Sequence, residues 1–117
     1  MKENIILIKT YDFAVRTVGL YNHLCKTRRN FEIAKQVLRS GTSIGANSEE
    51  AVGAQSKKDF IHKLSIAYKE ARETKYWLRL LRDTQCLELR IAESMLKDIE
   101  EILAILGKIK ITSYKNS

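Results

Sequence analysis

The chain has 117 residues, of which 44% are hydrophobic and 30% are charged, and its formal net charge is +7. This length and balance indicate one folded domain and exclude a disordered chain. The absence of proline and the presence of only five glycines disfavour a β-sandwich or barrel, which would need more turn residues.

The first predicted element is a helix over residues 4–26. Apolar residues recur along it at spacings of three and four, which is the period of an amphipathic helix. They form a stripe of Ile8, Tyr11, Val15, Val18 and Cys25. The polar segment "KTRRN" follows and predicts a short connection.

The second predicted helix covers residues 30–54, with Asn30 as its N-cap. Its second half, "SGTSIGANSEEAVGA", is rich in small residues that are typical of loops. The helical spacing nevertheless continues through it, along Val37, Gly41, Ile44, Ser48 and Ala51. Gly41 and Gly45 each cost about 1 kcal/mol of helix propensity, which close helix packing offsets. We therefore predict a helix bent near these glycines, and a loop of about 15 residues is the alternative.

The third predicted helix covers residues 56–84 and has the strongest pattern in the chain. Ser56 and Asp59 resemble a capping box at its start. Behind them runs a heptad-like seam of Phe60, Leu64, Ala67, Ala71, Thr74, Leu78 and Leu81.

The fourth predicted helix covers residues 87–112, and we expect the tail "TSYKNS" to be frayed. One face of the helix carries Ile91, Met95, Ile99, Ile102, Leu106 and Ile109. Four amphipathic helices with short links predict an all-α fold, an antiparallel up-down-up-down four-helix bundle over residues 1–117. The large aromatic residues are too many for one narrow seam, which favours a second buried surface and self-association.

The segment "TSIGANSEEAVGAQSKKDFIHKLSIAYKEARETKYWLRLL" resembles the S23-type four-helix-bundle family encoded in intervening sequences of bacterial 23S rRNA genes. The matching positions are Ser43, Ile44, Asn47, Glu50, Ser56, Asp59, Phe60, Ile66, Ala67 and Glu73. Many relatives carry Ile or Val at the position of Ser48 and Gly at the position of Ala51. The resemblance covers about residues 8–110.

This family is similar to the accessory protein of diversity-generating retroelements, a basic pentameric barrel that works with a reverse transcriptase and RNA. The resemblance implies a ring-like homo-oligomer, with a homopentamer as the expected assembly, and contact with nucleic acid. It leaves open a protein-interaction scaffold that recruits a partner such as a reverse transcriptase. It also leaves open a relic product of a mobile rRNA insertion without a needed host activity.

Basic residues repeat at spacings of three and four along the third helix, at Lys69, Arg72, Lys75, Arg79 and Arg82. Such side chains reach successive phosphates, and neighbouring aromatic rings stack on bases. A second basic cluster, in the first connection, consists of Lys26, Arg28 and Arg29. Both predict an RNA-binding surface, with a solvated or interface ion-pair face as the alternative.

The polar residues of the family pattern predict a structural role. Ser43, Asn47 and Glu50 share one helical face and are expected to tie the second helix to a neighbour, and Glu73 belongs to the same set. They offer no nucleophile paired with a base, so we predict no catalytic site and no enzyme.

Neither metal nor cofactor is expected. His23 and His62 have no second ligand at metal-binding spacing, and no P-loop, dinucleotide or di-iron motif occurs. Cys25 and Cys86 form no framework, and the apolar run at the N-terminus is too short for a signal peptide or a membrane span. We expect a cytoplasmic protein with free thiols and no membrane contact.

Overall fold

The computed structural model of the protein describes residues 2–27 and 30–115, with side chains from Ile5 onward. These residues form four α-helices and no strand, with bounds α1 (Lys2–Thr27), α2 (Phe31–Val52), α3 (Lys57–Asp83) and α4 (Leu89–Lys115). The predicted all-α four-helix fold is confirmed.

Side-chain caps begin two of the helices where the sequence predicts them. The Asn30 side chain accepts a hydrogen bond from the Ile33 N–H at 3.1 Å, and Ser56 Oγ accepts one from the Asp59 N–H at 3.1 Å. Each bond satisfies a backbone donor that the first helical turn leaves free.

All four helices differ from their predicted bounds by one to three residues, including the C-terminal ends of α2 and α4. α2 stops at Val52 instead of residue 54. The Gly53 N–H makes the last bond to a carbonyl four residues back, to Glu49 at 3.2 Å, whereas the Ala54 N–H bonds to the Ala51 carbonyl three residues back at 3.1 Å. α4 continues to Lys115, so the prediction of a frayed tail was wrong for residues 112–115, and the last two residues of the tail, 116 and 117, lie outside the described residues. The last turns of α4 line a groove with Ile5 and Phe60, and this packing favours a continued helix.

Contacts between the helices define the antiparallel topology. Going up α1 from Lys9 to Arg16, the ion-paired partners on α4 go down from Glu101 to Asp98. The same reversal holds between α2 and α3 and between α3 and α4. In the described residues α1 packs against α2 and α4 but not against α3, so α1 and α3 lie diagonally across a rod of about 47 × 21 × 20 Å.

The small residues of α2 allow a close approach to α1. A Cβ added to Gly41 would lie 2.7 Å from Thr17 Cγ2, and one added to Gly45 would lie 3.3 Å from the Thr10 carbonyl oxygen. The helix is continuous through both glycines, which excludes the long loop. The predicted seam is buried in full, as Val37, Gly41, Ile44, Ser48 and Ala51.

The buried face of α1 differs from the stripe that the sequence analysis chose. The core side chains are Ile6, Phe13, Leu20 and Leu24 with Thr10 and Thr17, whereas Ile8, Tyr11, Val15 and Val18 are exposed. In the sequence, Thr10 and Thr17 make the true core face look polar. Their hydroxyls donate at 2.8 Å to the carbonyls of Ile6 and Phe13, so they are buried with their hydrogen bonds satisfied.

Candidate nucleic-acid interface

The structure separates the five basic residues predicted to form a binding surface on α3 into two groups. Lys75 Nζ lies 2.5 Å from Glu100 on α4, and Arg82 Nε lies 2.8 Å from Asp83. Lys69, Arg72 and Arg79 are exposed, and within the described part of the chain none of them forms an ion pair. These three cations keep their charge available to an external anion.

The free cations share one face of α3 with an aromatic ring. At 100° per residue, Lys69, Arg72, Tyr76 and Arg79 project away from the buried positions Ala71, Thr74 and Leu78. Tyr76 is 53% exposed. We call this set, Lys69, Arg72, Tyr76 and Arg79, the α3 outer face.

A polar cluster on α2 and α3 supports the α3 outer face from the side. Glu73 Oε2 accepts a hydrogen bond from the Trp77 indole N–H at 2.9 Å and also pairs with Arg39 Nη2 of α2. Arg39 Nη1 lies 3.1 Å from Glu70 Oε2. Trp77 packs against the core, and its ring meets that of Tyr76 edge to face, with centroids 5.2 Å apart.

The cluster changes the titration of its charged groups. The indole N–H and then the Arg39 guanidinium stabilise the Glu73 carboxylate, so the pKa of Glu73 is lowered in spite of partial burial. The Glu73 carboxylate in turn raises the pKa of Arg39. Glu73 and Arg39 therefore both stay charged at neutral pH.

Buried hydroxyls add a second connection between α2 and α3. Thr74 Oγ1 lies 2.8 Å from Ser40 Oγ, and the Ser40 hydroxyl donates to the Gln36 carbonyl at 2.8 Å. Neither α2 residue, Arg39 or Ser40, was singled out in the sequence. Their partners are more than 30 positions away along the chain, and no local pattern marks them.

The residues of the family pattern on α2 bond mostly within their own helix. Ser43 Oγ donates to the Arg39 carbonyl at 2.8 Å, and Asn47 Nδ2 donates to the Ser43 carbonyl at 2.9 Å. Glu50 differs, because its carboxylate pairs with Lys63 of α3 at 2.8 Å. Together with the pairs of Arg39 to Glu70 and Glu73, it makes three ion pairs between α2 and α3 in the described residues.

The second predicted basic cluster is only partly described. Lys26 is exposed in the last turn of α1, whereas Arg28 and Arg29 lie outside the described residues. In the antiparallel bundle the end of α1 lies at the same end as the end of α3. A groove of about 510 Å³ joins them, lined by His23 and Thr27 of α1 together with Arg82 and residues 85–89.

No arrangement for metal binding or membrane insertion is found in the part of the chain that the structure describes. No group of three His, Cys, Asp or Glu side chains lies close enough to hold a metal ion. None of the described helices has the length and apolarity needed to span a membrane.

Comparison with known proteins places the chain in a family. The family of 23S rRNA-intervening sequence proteins matches residues 2–108. The chain belongs to this family. The resemblance found in the sequence is therefore confirmed.

A solved member of the S23 ribosomal protein family has nearly the same fold as this 23S rRNA-intervening sequence protein. It is a protein of unknown function from Bacteroides thetaiotaomicron, 50% identical, with a TM-score of 0.91 over 94% of this chain and 98% of that chain. No curated protein matches the chain. Neither description names a reaction.

Proposed function

We propose that this member of the family is a non-catalytic, cytoplasmic protein that binds RNA, alone or in a ribonucleoprotein, through the α3 outer face. The observation that carries the proposal is the exposure of three cations without ion-pair partners beside the exposed ring of Tyr76. α3 holds eight basic and four acidic residues, which is +4 of the net charge of +7. A surface of this sign attracts phosphates.

The spacing of the cations suits a nucleic-acid backbone. Lys69 and Arg79 are ten positions apart, about 15 Å along a helix axis at 1.5 Å per residue. Arg72 lies between them, so the face offers cations to several successive phosphates. Arginine also binds a phosphate through two parallel hydrogen bonds, which fixes its orientation.

Fluorescence anisotropy with a labelled RNA hairpin and a matched DNA duplex tests this proposal. We expect tight binding at about 50 mM salt that weakens by orders of magnitude at about 200 mM, because phosphate contacts release counterions. Arg72→Glu with Arg79→Glu should abolish binding. The matched control is Arg90→Glu with Lys97→Glu on α4, which changes the net charge equally at exposed positions. Equal losses of affinity in both double variants would mean that binding depends on net charge alone and not on the α3 outer face. If the wild type does not bind either nucleic acid, a protein-recruiting scaffold is favoured.

We also propose that the protein is a homo-oligomer whose copies meet at the outward side of α1. Ile8, Tyr11, Val15 and Val18 form a continuous apolar seam there, between 44% and 66% exposed. This seam lies opposite the core face of α1, so the bundle itself does not cover it. The spacing of three and four residues is the one that packs helix against helix.

Two further observations favour a second copy of this chain as the occupant of the seam. Gly19 borders it, and an added Cβ there would meet no atom within 4 Å, so nothing in the described part of the protomer requires glycine in this helix interior. A neighbouring helix that comes close would require it. The α3 outer face lies diagonally across the bundle from α1, so copies that meet on α1 keep their most basic helices apart. The family resemblance suggests five copies.

A further inference from the structure

We infer that the α3 outer face binds an unpaired segment of RNA, with a nucleobase stacked on the ring of Tyr76. This inference rests on the proposed function and specifies the class of RNA. It places the contact at one aromatic side chain and two guanidinium groups.

Tyr76 is an exposed aromatic residue in the middle of a cationic surface. Slightly more than half of the residue is open to solvent. Burying such a ring against a base removes apolar surface from water, and stacking on an aromatic side chain stabilises binding whatever the base.

The position of the ring is supported from both α2 and α3. Trp77 contacts it at a centroid distance of 5.2 Å and an interplanar angle of 74°. Trp77 is itself held by Glu73, which Arg39 fixes from α2. A ring beside a fixed neighbour loses less freedom on binding, and this lowers the entropic cost of stacking.

The cations are placed to bind the phosphates beside a stacked base. Arg72 precedes Tyr76 by four residues and Arg79 follows it by three, so each lies about one turn away, ~5.4 Å along the axis. A base on Tyr76 therefore has a guanidinium on each side along the strand. Neither guanidinium forms an ion pair within the described chain, although Arg79 lies close enough to Asp83 to help lower the pKa of that carboxyl.

This arrangement favours unpaired RNA over a duplex. In an A-form duplex the bases stack on one another, and the major groove is too deep and narrow for side chains to read. An aromatic ring on a helix surface reaches a base face only where the strand is unpaired. A duplex could use the cations alone.

The test uses the full-length protein and an unstructured 12-nucleotide RNA, alone and annealed to its complement. Trp77 is the only tryptophan, so its fluorescence reports events beside Tyr76. We expect the single strand to bind more tightly than the duplex and to change the Trp77 emission. Tyr76→Ala should weaken single-strand binding about 5- to 150-fold, the range for loss of one stacked base, and should remove the emission change. Tyr76→Phe keeps the ring and should bind within about twofold of the wild type.

The outcomes separate this inference from the proposed function. If Tyr76→Ala binds the single strand as tightly as the wild type while Arg72→Glu with Arg79→Glu does not bind, the stacking contact is wrong and the RNA-binding face stands. A duplex that binds more tightly than the single strand also overturns the inference. If the wild type binds neither RNA, both proposals fail.

Discussion

Arg39 of α2 and Glu73 of α3 are 34 positions apart in the chain and form an ion pair, with the Trp77 indole N–H bonded to the same carboxylate oxygen. The pair links two helices and holds the tryptophan beside Tyr76. Because the pair is partly exposed, solvent screens it and its contribution to stability is modest. Its larger effect is to hold Trp77 in position, and the Trp77 ring contacts Tyr76 of the α3 outer face.

Replacing Glu73 should lower the stability of the fold. Glu73→Gln removes the charge that Arg39 and Trp77 share, and we expect a loss of about 1 kcal/mol in the free energy of unfolding, measured by urea denaturation. The control is Glu49→Gln, an exposed acid on α2, which should change stability by less than about 0.5 kcal/mol. An equal change in both variants would mean that the cluster adds nothing beyond net charge.

The lowered pKa of Glu73 predicts a dependence of stability on pH. Because the folded carboxylate has a pKa below its ordinary value of 4.5, the unfolded chain binds more protons near that pH. The contribution of Glu73 is therefore complete above about pH 4.5 and is lost as the pH falls through the folded pKa. Urea midpoints followed by Trp77 fluorescence should fall more steeply with acid in the wild type than in Glu73→Gln. Parallel curves would contradict the assignment.

Gly41 should not tolerate alanine. Although alanine raises helix propensity, its Cβ would lie 2.7 Å from Thr17 Cγ2, a side chain that is buried and hydrogen-bonded. We expect Gly41→Ala to destabilise the protein by about 1–3 kcal/mol in chemical denaturation. Adding Thr17→Ala removes the two closest atoms and should restore part of the loss. A neutral Gly41→Ala would mean that the helices separate without cost.

The seam on α1 should control assembly without controlling folding. Tyr11→Glu with Val15→Glu places charges on the outward side, so we expect light scattering to show smaller particles while circular dichroism still shows a helical protein. Gly19→Ala should stabilise the separated protomer by up to about 1 kcal/mol and weaken assembly. The exposed Lys35→Glu on α2 is the control. A wild type that is monomeric at all concentrations would disprove self-association.

Two lysines on α3 should differ in their effect on salt dependence. Lys69 is exposed and without an ion pair in the described residues, whereas Lys75 is bound to Glu100. Lys69→Gln should lower the slope of log affinity against log salt by about 0.7–0.9, the value for one phosphate contact. Lys75→Gln should leave the slope nearly unchanged. The reverse order would show that the Lys75 ion pair opens on binding.

Local patterns in the sequence determined most of the architecture of this protein. The four helices, the caps at Asn30 and Ser56 and the seams of α2, α3 and α4 follow from spacing and from side chains that act within a few residues. The family also followed from the sequence, because its pattern is local. A basic surface on α3 was predictable for the same reason.

Tertiary structure alone decided which residues are free and which faces are covered. Spacing could not separate Lys75 from Lys69, since the difference is a carboxylate on another helix. Spacing also selected the wrong face of α1 as the apolar stripe. A buried threonine whose hydroxyl bonds to its own helix looks polar in the sequence, so the true core face was overlooked. The spacing missed Arg39 as well, whose partners lie on α3. The helical period of a sequence determines which residues share a face of one helix. Burial and ion pairing depend on which neighbouring helix the folded chain places beside that face.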